Sequence, residues 1–78
     1  MKLRGADMKY RLSAMIVRED KWYVARCPEL GVTSQGSTLE EATSNLKEAV
    51  ELYIESFGTD DLKDIKDEPI FTTIEVAA

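Results

Sequence analysis

The sequence predicts an α+β domain with the element order β-β-β-α-β, and three observations carry that reading. Residues 8–17 and 22–27 alternate apolar and polar side chains on either side of the charged run Arg18-Glu19-Asp20-Lys21, the pattern of a β-hairpin. Residues 39–57 repeat their apolar positions with the helical period. Residues 70–76 alternate again, which predicts a fourth strand. The compact solution for such a set is one amphipathic helix packed on one face of an antiparallel sheet.

Taken in order, residues 1–7 are short, polar and glycine-containing, and Met8 reads as a second start, so they are expected to lie outside the fold as an extension. Residues 8–78 then form a single domain. In the first strand Met8, Tyr10, Leu12, Ala14 and Ile16 share one face, while Arg11, Ser13, Met15 and Val17 share the other. In the second, Trp22 and Val24 oppose Tyr23, Ala25 and Cys27. Pro28-Glu29-Leu30-Gly31 reads as a turn, because proline cannot donate to a ladder and glycine tolerates positive φ. Residues 32–35 give a third strand that Gly36 stops.

Thr38 followed by Glu41 is a capping-box pattern at the start of the helix, and Gly58 suits its end. Leu39, Ala42, Leu46, Ala49, Val50, Tyr53 and Phe57 fall in one arc. Glu40, Glu41, Ser44, Glu48, Glu51 and Glu55 fall in the opposite arc, with Leu52 on the flank. Residues 58–69 are a polar connection that Leu62 and Ile65 are expected to pin through a short helical turn.

Seventy-eight residues support one domain whose core is small for a stand-alone monomer. No run approaches the ~20 apolar residues of a membrane span. One cysteine, Cys27, rules out an intramolecular disulfide framework and fits a reducing cytoplasm. The net charge of −5 is uneven: residues 1–37 carry +3, residues 38–68 carry −7 and Glu75 adds −1. An acidic second half repels phosphate backbones and suits a basic protein partner.

The chemistry for catalysis is missing. Histidine is absent, which removes the commonest general base and zinc ligand together. Glu48, Glu51 and Glu55 share a helix face, but a solvated stripe does not shift carboxylate pKa values. Ser34, Ser37 and Thr38 have no base to activate them, and Gln35-Gly36-Ser37 is no phosphate cradle. The expectation is therefore no catalytic residue, no cofactor and no metal. An RNase-H-like site needs carboxylates on its central strands, and the first two strands hold none. A double-stranded-RNA binder needs a basic helix or loop, and this helix is acidic.

One helix cannot cover both faces of this sheet. Met15 and Val17 on the first strand, with Trp22 and Val24 on the second, point to a face or edge buried against another chain.

From Met8 to about Phe57 the chain resembles the N-terminal domain of HicB-type antitoxins. The resemblance rests on Tyr10 on the leading strand, Trp22-Tyr23-Val24-Ala25, Pro28-Glu29-Leu30-Gly31, and Ser34-Gln35-Gly36-Ser37-Thr38-Leu39-Glu40-Glu41-Ala42. It implies a β-β-β-α-β domain similar to partial RNase-H or double-stranded-RNA-binding folds, assembled as a dimer or tetramer. It also implies binding and occlusion of a HicA-type toxin, a small mRNA-cleaving ribonuclease. Many members carry a C-terminal DNA-binding domain; here only Ala77 and Ala78 follow the fourth strand, so direct nucleic-acid binding is not expected. On this reading Met15, Trp22, Val24 and Leu52 supply apolar anchors, and Glu41, Glu48, Glu51 and Glu55 complement the toxin's basic surface. The alternative is an orphan oligomeric module that acts as a scaffold or small-ligand binder.

Overall fold

The computed structural model describes residues 10–62 and 70–78. The elements run β1 (Met15–Glu19), β2 (Trp22–Cys27), β3 (Val32–Gly36) and α1 (Leu39–Phe57), followed by a single 3-10 turn at Asp60–Leu62. The strands form an antiparallel meander in the order β1-β2-β3. The α+β class and the order β-β-β-α are as the sequence predicts.

Local chemistry sets each boundary. Glu19 pairs with Trp22, so the hairpin turn narrows to Asp20-Lys21, and Asp20 takes a left-handed φ of 58° that aspartate tolerates better than most residues. At the β2–β3 turn the Cys27 carbonyl accepts from the N–H groups of Leu30 and Gly31, and Gly31 has φ 71°. Thr38 caps α1, its hydroxyl accepting from the Glu41 N–H at 3.0 Å. Gly58 closes the helix with φ 79° and donates to the Ile54 carbonyl.

The core lies between α1 and one face of the sheet. Ala25 and Cys27 of β2 meet Ala42 and Leu46 of α1, with Leu12, Ile16, Tyr23, Leu30, Val32 and Val50 around them. Small residues at the centre let the helix approach closely. Gly36 marks the limit, since a Cβ there would stand 2.6 Å from the Ala42 nitrogen. Asn45 fastens the same contact by donating from Nδ2 to the Gln35 carbonyl at 2.9 Å. The helix consequently rides chiefly on β3, then on β2, and touches β1 least. Leu62 is buried beyond the helix, as expected of the connection, while Ile65 and Met8 lie outside the described residues.

Two expectations are corrected. The first strand starts at Met15 rather than at residue 8, because the ladder with β2 begins at the Met15–Arg26 pair, and residues 10–14 are not strand. The expected fourth strand is not formed either: residues 70–78 carry no regular structure and all are exposed. Alternation prepares a segment for a sheet, but ladder bonds need a partner edge, and no described strand pairs with this segment. At the helix ends Leu39 and Phe57 are exposed, overhanging the sheet that buries the middle of their arc.

Candidate functional site

Paired residues on neighbouring antiparallel strands share a face, so the register sorts the sheet directly. Ile16, Ala25 and Ser34 align and face the helix. Val17, Val24 and Gln35 align and face away from it. The uncovered face therefore carries Met15, Val17 and Glu19 from β1, Trp22, Val24 and Arg26 from β2, and Thr33 and Gln35 from β3. Val24 sits at the centre, half-buried by its neighbours alone. Met15, Val17 and Trp22 around it are 46%, 49% and 47% exposed. This is a contiguous apolar patch with a polar rim of Glu19, Arg26, Thr33 and Gln35, the anatomy of a protein-binding surface.

The structure places Met15, Val17, Trp22 and Val24 on one face, with Val17, expected on that face but not among the contact residues, at the middle of the group. Val17 is legible in the same alternation. Leu52, Glu48, Glu51 and Glu55 are all exposed on α1, on the opposite side of the two-layer domain from the patch. The eight expected contact residues therefore form two surfaces, one apolar on the sheet and one acidic on the helix.

Glu41 has a local task. Its carboxylate accepts from both the N–H and the hydroxyl of Ser37, which holds its pKa below the ordinary value. The reciprocal bond of a capping box is made here to Ser37 rather than to Thr38. That leaves Glu41 part of the helix cap.

A second polar cluster joins the lead-in of β1 to the β2–β3 turn. The Glu29 carboxylate accepts from the Ser13 N–H at 3.0 Å and from the Ser13 hydroxyl at 2.7 Å, and it lies 3.5 Å from the Cys27 thiol. Burial pushes the Glu29 carboxyl up, but these donors outweigh it and the net shift is downward. Burial, with the adjacent carboxylate, pushes the Cys27 thiol up, so it is poorly suited to nucleophilic work. No signal in the sequence links Ser13 to Glu29, which lie 16 positions apart. At the end of α1 the Tyr53 hydroxyl donates to Asp61, and the Tyr53 and Phe57 rings lie 4.8 Å apart.

Because α1 rides on β3 and β2, a trough of about 410 Å³ opens beside it. Tyr10, Leu12 and Ala14 form one wall, Val50 and Ile54 the other, and Cys27 and Leu46 contribute from the core. Its lining is mainly apolar, with Lys47 and Glu51 as the charged members. Among the described residues no group of three cysteine, aspartate or glutamate side chains could hold a metal ion. No helix among them is long and apolar enough to cross a membrane.

Fold and surface together define a small two-layer α+β domain with one apolar face left open. The chain belongs to DUF7387, a family of unknown function, whose model matches residues 6–73. It is 38% identical over 68 residues to a UPF0150 protein of Helicobacter pylori, covering 85% of this chain and 94% of that protein. It is 41% identical over 69 residues to the UPF0150 protein ssl0738 of Synechocystis, covering 86% and 96% respectively. A second Synechocystis relative, the UPF0150 protein ssr1765, is 51% identical over 49 residues, covering 60% of this chain and 62% of that protein. No solved structure matches the chain at a significant level.

Proposed function

We propose that this chain is a non-catalytic, HicB-like antitoxin domain of the cytoplasm that binds a HicA-type mRNA-cleaving toxin and blocks it by occlusion. The observation that carries the reading is the uncovered patch of Met15, Val17, Trp22 and Val24 with its polar rim. A patch of that kind gains free energy when another protein removes it from water. The Trp22-to-Ala42 stretch that resembles the antitoxins contains both the central strand of the patch and the helix cap. A ribonuclease presents basic side chains to its substrate, and Glu48, Glu51 and Glu55 on α1 would speed encounter with such a surface. A raised Cys27 pKa and a Glu29 carboxylate engaged with Ser13 support a role without catalysis. The acidic helix argues against direct nucleic-acid binding.

The test is co-expression with the small open reading frame nearest to this gene. Rescue of growth and a co-eluting hetero-complex are expected, and Val17→Asp with Trp22→Asp should abolish both while the domain stays folded. Reversing Glu48, Glu51 and Glu55 to lysine should slow association and flatten its salt dependence. Neutralisation that survives the patch substitutions would sink the reading. The orphan oligomeric module remains the second reading, favoured by the exposed apolar residues of 70–78.

A further inference from the structure

The trough beside α1 stays open because each of its walls is held elsewhere. The lead-in wall of Tyr10, Leu12 and Ala14 is tied by Ser13, whose N–H and hydroxyl both donate to the Glu29 carboxylate, at 3.0 and 2.7 Å. The helix wall is seated over β3 by the close approach at Gly36 and by the Asn45 bond to the Gln35 carbonyl. Neither wall can lean across the gap without giving up those contacts, so the space of about 410 Å³ is preformed. Its size and mainly apolar lining are those of small-molecule sites, which run from roughly 300 to 1,000 Å³.

The helix wall is built of two ridges, each at four-residue spacing. Leu46, Val50 and Ile54 form the inner ridge and are buried or half-buried, while Thr43, Lys47 and Glu51 form the outer ridge and are exposed. A chain lying in the trough therefore meets hydrocarbon below it and polar groups along the rim. Two of the polar side chains are already committed: the Ser13 hydroxyl donates to Glu29, and the Thr43 hydroxyl donates to the Leu39 carbonyl at 2.8 Å. Lys47 is the cation of the rim, and it makes no ion pair among the described residues. Glu51 is the anion, one turn further along. From Lys47 to Ile54 the helix rises about 10 Å, the reach of a medium-length acyl chain.

We propose that the trough is a binding site for a medium-chain carboxylate. The carboxylate pairs with the Lys47 ammonium, and the tail runs along Leu46, Val50 and Ile54 beside the lead-in wall. Glu51 sets the direction, since it repels a carboxylate placed further along the helix. Burial of the tail supplies the affinity, and the Lys47 pair selects an anionic head over a neutral one. The site lies on the helix side of the sheet and uses none of Met15, Val17, Trp22 and Val24, so it stands whether or not a toxin binds the open face.

The test is a titration of the full chain with sodium octanoate, followed by NMR of the methyl groups. Saturable shifts are expected at Leu12, Leu46, Val50 and Ile54, with none at Val17 and Val24. Lys47→Gln should weaken octanoate binding by about fivefold and leave octanol binding unchanged, while Lys47→Arg keeps both. Ala14→Trp, a change at an exposed position of the wall, should fill the trough and abolish both. The proposal is overturned if no saturable shift is seen, if the shifts fall on Val17 and Val24 instead, or if Ala14→Trp leaves octanoate binding intact. It is equally overturned if Lys47→Gln binds octanoate as the parent does. Nuclear Overhauser contacts from the Val50 and Ile54 methyls to Ile70 or Ile74 in the ligand-free protein also overturn it, because the chain's own segment then occupies the trough.

Discussion

Gly36→Ala is the most direct test of how the helix is seated. The added Cβ would lie 2.6 Å from the Ala42 nitrogen and 2.9 Å from the Glu41 carbonyl carbon, both of them backbone atoms that cannot swing aside. Restoring ordinary contact at 3.4 Å needs about 0.8 Å of separation between β3 and α1. That movement stretches the 2.9 Å bond from Asn45 to the Gln35 carbonyl to about 3.7 Å and breaks it. It also opens the layer between Ala25 and Cys27 on one side and Ala42 and Leu46 on the other, where a gap of 0.5–1 Å forfeits roughly a quarter to a half of the dispersion attraction. Overpacking costs about 1–3 kcal/mol and the lost hydrogen bond about 1 more, so the expected loss is about 2–4 kcal/mol. For a domain of this size that lowers the thermal midpoint by about 10–25 °C.

The assay is thermal and urea unfolding followed by far-UV dichroism. The control is Gly31→Ala, where nothing lies within 4 Å but φ is 71°, so only the left-handed cost of about 1–2 kcal/mol applies. Asparagine should recover part of the loss at Gly31 and none at Gly36. The reasoning about close approach is refuted if Gly36→Ala melts within about 3 °C of the parent, or if Gly31→Ala is the more damaging change.

Other expected outcomes are more local. Thr38→Ala removes the acceptor for the Glu41 N–H and should cost about 1 kcal/mol in urea unfolding, whereas Thr38→Ser should cost little. Ser13→Ala removes the 2.7 Å hydroxyl bond to Glu29 and should cost about 1 kcal/mol, together with a rise in the Glu29 pKa measured by NMR titration. Because the folded state holds Glu29 below its ordinary 4.5, the carboxylate stabilises the domain above that pH, and the contribution fades as pH falls through the folded value. The stability gap between the parent and Glu29→Gln should therefore be present at pH 7 and narrow as the pH falls below 4.5; a gap that widens on acidification would contradict the assignment. Asp20→Gly should be neutral or mildly stabilising, since it relieves a left-handed φ of 58°, and Asp20→Val should destabilise the hairpin.

Much of this molecule is written in short-range rules. The limits of α1 follow from Thr38, Glu41 and Gly58, because helix bonds and caps connect residues three or four apart. The grouping of Met15, Trp22 and Val24 on one face follows from the two-residue period of a strand, and the turns follow from aspartate and glycine at left-handed positions. What lies beyond such rules was decided by the tertiary structure. The first strand loses residues 10–14 and the segment 70–78 finds no ladder, since strand bonds depend on an edge far away in the chain. The acidic stripe and the apolar patch part to opposite surfaces because the core lies between helix and sheet. Glu29 is drawn from an ordinary turn into a clasp on Ser13, and the trough beside α1 opens because Gly36 and Asn45 seat the helix over β3. Sequence by itself determined the helix, the hairpin, the third strand and the faces they present, through contacts within one turn or one strand. Only the packing of those elements could decide which surfaces stay open, because each opening is defined by groups distant in sequence.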